Sequence, residues 1–132
     1  MAFSAVLESN TVGETGPKRI LVVDDETDVQ EFVSLVLQDH GFEVICAANG
    51  EDALGKIEAF HPDLVVLDLM MPVMDGWGVL DRLRELALPP AVIVLSAYPD
   101  EWRAFRGGAW ECLPKPFEPE TLVATCERAL AG

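Results

Sequence analysis

Three short segments of this chain, Ile20–Val23 (ILVV), Leu64–Leu67 (LVVL) and Ala91–Leu95 (AVIVL), are apolar at every position. A strand with one wet face alternates apolar and polar side chains, so unbroken runs of this length predict strands covered on both faces. Glu43–Ala47 and Glu111–Leu113 complete a set of five strand candidates. Between them, apolar residues recur at three and four. The stripes are Val29, Phe32, Val33, Val36 and Leu37, then Ala53, Leu54 and Ile57, then Val79, Leu80 and Leu83, and finally Leu122, Val123, Cys126, Ala129 and Leu130. Strand and helix therefore alternate, as parallel strands require, since each needs a crossover to the next. The pattern predicts an α/β domain, a doubly wound five-stranded parallel sheet with helices on both faces. Gly41, after a helix ending in Gln38-Asp39-His40, reads as a left-handed stop, and Asn49-Gly50 as a turn after the second strand. Gly107-Gly108 closes a short fourth helix that Asp100 would cap.

At 132 residues, half of them apolar, the chain can bury one real core. Residues 18–131 carry the whole pattern and predict a single stand-alone domain, without linker, repeat or output module. Residues 1–17 have no basic start and pass from brief apolar stretches into Glu, Asn, Thr, Gly and Pro. They predict a flexible tail and not a signal peptide or anchor. No apolar run approaches the roughly 20 residues that span a bilayer, so a cytoplasmic protein is expected. A formal charge of −14 disfavours direct contact with nucleic acid or anionic lipid. Residues 24–63 hold eleven acidic side chains against Lys56 alone, and would steer a basic protein partner. Cys46, Cys112 and Cys126 form no C-x-x-C pair and read as small buried hydrophobes in a reducing compartment. His40 and His61 read as surface residues, and Met70, Met71, Met74 and Trp77 as packing.

Four islands lie at the C-terminal ends of predicted strands, where open parallel sheets place their crevice: Asp24-Asp25, Asp68, Ser96 and Lys115. One acidic pair after a buried strand is usually a solvated cap. Two neighbouring strand ends, however, bring three carboxylates together, and these repel unless a cation neutralises them. Oxygen ligands without His or Cys favour Mg²⁺. Lys115 would balance one charge, and Ser96 would donate to a phosphoryl oxygen.

The segment Asp68-Leu-Met-Met-Pro-Val-Met-Asp-Gly76, with Val22-Val23-Asp24-Asp25-Glu26, Leu95-Ser96-Ala97 and Lys115-Pro116-Phe117, resembles the receiver domain of two-component response regulators. The likeness runs from about Lys18 to Ala131. It implies a flavodoxin-like receiver fold of sheet order 2-1-3-4-5, and a protein that is no enzyme with a separate substrate. Asp68 would accept a phosphoryl group from a sensor histidine kinase, a histidine phosphotransfer protein or a small phosphodonor. Asp25, Asp68 and the Met70 carbonyl would bind Mg²⁺, and Asp24 would hold a metal-bound water. Lys115, Ser96 and the Ala97 N–H would take the phosphoryl oxygens. Met70 and Tyr98 would govern water access, and a downstream protein would read the resulting state.

Some features depart from that family. Cys112 occupies the switch position three residues before Lys115, where an aromatic usually stands, so Trp110 or Tyr98 takes over the coupling or the output does not use it. Eleven residues separate Ser96 from Gly108, about three fewer than usual, or most of a helical turn. A helix over 100–106 should therefore be short, output would use another or a remodelled surface, and the oligomeric state stays open. Pro114 removes a strand donor and predicts an edge strand, and Lys115-Pro116 in such domains is typically cis. An aspartyl-phosphate hydrolase would need a second Asp where Met70 stands. A flavin-binding domain would need a Ser/Thr/Gly-rich loop where Asp24-Asp25-Glu26 stands. A degenerate, phosphorylation-independent receiver and a fragment of a larger regulator or hybrid kinase complete the alternatives.

Overall fold

The computed structural model describes residues 16–68, 76–96 and 111–131. Five strands form one parallel sheet: β1 (Arg19–Val23), β2 (Glu43–Ala47), β3 (Leu64–Asp68), β4 (Ala91–Ser96) and β5 (Glu111–Pro114). Their order is β2-β1-β3-β4-β5, the predicted 2-1-3-4-5 arrangement. The described helices are α1 (Thr27–Asp39), α2 (Gly50–Phe60), α3 (Gly76–Arg84) and α4 (Pro119–Ala131). The helix expected over 100–106, Trp110 and most of the segment 1–17 lie outside the described residues.

Successive side chains of a strand point to opposite faces, and here each face has its own apolar layer. Leu21, Val23, Val65, Leu67, Val92 and Val94 pack with α2 and α3. Their neighbours Ile20, Val22, Leu64, Val66, Ile93 and Leu95 pack with α1 and α4. This explains why the three central strands carry no polar residue until their ends. The sheet's outer strands differ: Val44, Ile45 and Cys46 of β2 are only half-buried. Cys126 is buried, but Cys46 and Cys112 are half-buried, which corrects the expectation that all three thiols are core residues. Both lie on edge strands, which have one neighbour each. Phe32, grouped by spacing with the inner stripe of α1, is 43% exposed and lies against the Phe117 ring at 6.3 Å between centroids.

The helix ends are set locally. α1 stops in a Schellman arrangement: the N–H of Phe42 donates to Leu37 O (3.2 Å), that of Gly41 to Gln38 O (3.0 Å), and Gly41 takes φ +90°. Asn49 is no free turn but the N-cap of α2, its side chain accepting the Asp52 N–H at 2.8 Å. α2 ends at His61, which adopts the left-handed conformation at φ 52°. At the N-terminal edge of the sheet, Arg19 lies over the Phe60 ring (5.2 Å) and donates to the Phe60 carbonyl (2.7 Å).

Candidate functional site

Register brings the polar islands to one level. Val23 pairs with both Ala47 and Leu67, and Asp68 pairs with Leu95, so β1, β2, β3 and β4 end side by side. Asp24 continues the parity of Ile20 and Val22, and Asp68 that of Leu64 and Val66. Their carboxylates consequently meet over the same end of the sheet. One carboxylate oxygen from each of Asp24, Asp25 and Asp68 lies within 4.8 Å of the others. Asp24 is wholly buried and Asp68 is 6% exposed, whereas Asp25 is open to solvent. The Lys115 ammonium stands 3.7 Å from Asp24 Oδ2 and 3.7 Å from Asp68 Oδ1. Those separations are ion-pair distances beyond hydrogen-bond length. The Lys115–Pro116 peptide is cis.

The turn that carries the acid pair is tied down. The Asp24 N–H donates to Ala47 O (3.0 Å), and Asp24 Oδ1 accepts the Glu26 N–H (2.9 Å). Asp24 Oδ2 is buried and accepts no hydrogen bond among the described residues. Burial raises the Asp24 carboxyl above its ordinary value; the Glu26 N–H opposes this, Asp68 adds to it, Lys115 opposes it and Asp25 adds to it. A buried carboxylate with an open lone pair beside two others is a set of hard oxygen donors. With no His or Cys in the group, it fits a hard divalent cation better than a transition metal.

Asp24, Asp25, Asp68 and Lys115 are thus brought together as the sequence predicted. Ser96 ends β4 opposite Pro114, one strand from Asp68, and is described here through its backbone alone. Met70, Ala97 and Tyr98 lie outside the described residues. Cys112 of β5 pairs with Val94 of β4 and packs against the layer formed with α2 and α3. Gln30 was not foreseen: its side-chain amide donates to Asp24 O at 2.5 Å and reaches Ala47 O at 3.4 Å. A polar residue at the close of the first turn of α1, on the Asp24 side of an otherwise apolar inner stripe, was its only signal.

An open parallel sheet of this order, with an acidic cluster and a lysine at its C-terminal strand ends, defines the flavodoxin-like class with its ligand crevice at that end. Comparison with known proteins narrows the class. A family model for the response regulator receiver domain matches residues 20–127, and the chain belongs to that family. It is 43% identical over 114 residues to "Probable transcriptional regulator ycf27" of Cyanophora paradoxa, covering 84% of this chain and 47% of the relative. It is 39% identical over 116 residues to the alkaline phosphatase synthesis transcriptional regulatory protein PhoP of Bacillus subtilis (86% and 48%). The chain therefore spans about half the length of these relatives. The chemotaxis response regulator CheY4 of Vibrio cholerae superposes with a TM-score of 0.82 at 34% identity, covering 86% of this chain and 99% of that one. Among the described residues, no helix is long and apolar enough to cross a membrane.

Proposed function

We propose that Asp68 accepts a phosphoryl group from a histidine of a kinase or phosphotransfer protein, with Mg²⁺ in the crevice, and that the modified domain signals through protein contacts. The observation that carries this reading is the Lys115 ammonium 3.7 Å from both Asp24 and Asp68, beside a third carboxylate. Three carboxylates and one ammonium leave two negative charges. Bound Mg²⁺ would cancel them and screen an incoming phosphoryl group from the carboxylates. Asp25 and Asp68 would be the direct ligands in this reading, and Asp24 would hold a water beside them. An Asp68 oxygen forms the new P–O bond as the P–N bond to histidine breaks; the nitrogen keeps the electron pair and takes up a proton. Lys115 then transfers its pairing from the carboxylate to the phosphoryl oxygens, helped by Ser96 and the Ala97 N–H. Such transfer needs positioning and charge neutralisation more than covalent assistance. The protein turns over no separate substrate.

Intact mass after incubation with Mg²⁺ and acetyl phosphate tests the reading. Wild-type protein should gain one phosphoryl group, and Asp68→Asn none. No gain, or a gain that survives the substitution, would overturn it. A second reading is favoured by the transcriptional regulators to which the chain is similar and whose length it half spans. In that reading these residues are the receiver of a longer transcriptional regulator, which the mass of the protein isolated from its source cells decides.

A further inference from the structure

We propose that Gln30 is a positioning residue for the metal crevice, an inference that rests on the Mg²⁺ reading above. A peptide group is planar, so fixing its oxygen fixes the plane from which the next residue departs. The oxygen held by the Gln30 amide belongs to the peptide joining Asp24 to Asp25. The preceding peptide is fixed at the Asp24 N–H, which donates to Ala47 O, and Gln30 reaches that same carbonyl. Gln30 is itself anchored, because its backbone N–H donates to Glu26 O at 3.1 Å. The amide thus closes a bracket over residues 24–26 from α1 to the end of β2. Among the described residues Asp25 shows no such side-chain hydrogen bond and is open to solvent, so the bracketed peptide sets the direction of its carboxylate. An amide suits the task since it donates without carrying a charge that would compete with a cation.

The test uses the full chain and Mg²⁺ alone. Gln30→Met keeps the length and the helix but removes the donor, and Gln30→Asn keeps the amide but cannot reach. Titration calorimetry should show roughly tenfold weaker Mg²⁺ binding in each, the effect typical of losing a group that orients a metal ligand. Urea denaturation in EDTA gives the stability of each variant separately. Gln38→Met, at the exposed end of the same helix, controls for helix propensity and should leave affinity within twofold. A merely structural Gln30 would lower stability in EDTA and leave Mg²⁺ affinity at the wild-type value, and that result overturns the assignment. If Gln30→Met fails to fold, Gln30→Asn decides on the same criterion. A wild-type protein that takes up no Mg²⁺ overturns instead the reading on which the assignment rests.

Discussion

At Asp24, burial works against the charged form of a single carboxyl. Its carboxyl is raised chiefly by burial, so the folded protein binds that proton more tightly than the unfolded chain does. Stability from this group is fully present below the ordinary Asp value of about 3.9 and is lost as pH rises through the raised folded value. Denaturation of metal-free protein followed across pH should therefore show a fall toward neutrality that Asp24→Asn flattens, the variant being the more stable of the two at pH 7. An unchanged slope would show that the burial penalty is relieved in another way. Cys126 is the contrasting case. Burial, with Glu127 adding to it, pushes its thiol up to about 12. It should resist alkylation in the native state and react only on unfolding, as a thiol-labelling time course would record. Its position in the apolar stripe of the last helix made that burial legible. The half-buried state of Cys46 was not legible, because exposure on an edge strand depends on which strand ends up outermost.

At the level of elements, α2 is bounded by two residues of opposite character. Asn49 satisfies an orphan N–H at the start, so Asn49→Ala should cost about 1 kcal/mol. His61 ends the helix in a left-handed conformation that costs an L-residue roughly 1–2 kcal/mol. Replacement by glycine removes that cost at a smaller entropic one, for a net gain of roughly 0.5–1 kcal/mol in urea denaturation. The sequence marked Gly41 correctly, because glycine is the usual residue at such a stop. It gave no sign of His61, whose backbone is decided by where the chain must turn to enter β3. Asn49-Gly50 was legible as a break but not as a cap, a difference that depends on whether the next residues are already helical. Pro114 marked β5 as an edge strand, and β5 does lie at the margin of the sheet, with Pro114 as its last residue.

Across the whole molecule, the sheet has a dry middle and a charged end. The fold was readable because unbroken apolar runs demand cover on two sides, which few arrangements other than a doubly wound sheet provide. The crevice was readable because Asp24-Asp25, Asp68 and Lys115 follow strands that finish level. What joins α1 to that crevice through Gln30 was not readable, since it depends on the angle at which the helix leaves β1. Because the folded state gathers the three carboxylates and the unfolded chain does not, Mg²⁺ bound there as proposed should stabilise the fold by mass action. At one hundred times its dissociation constant the gain is about 2.7 kcal/mol. Thermal denaturation should show it in wild-type protein and lose most of it in Asp25→Asn. The alternation of two apolar layers has one more consequence. A slip of β3 by a single residue would exchange Val65 and Leu67 with Leu64 and Val66, and would carry Asp68 about 3.3 Å along the strand and onto the opposite face. A misregistered molecule would still be compact, yet its three carboxylates would no longer meet at one end of the sheet. The packing therefore acts as a proofreading device, because only a correctly assembled copy of the chain brings Asp68 to Asp24, Asp25 and Lys115.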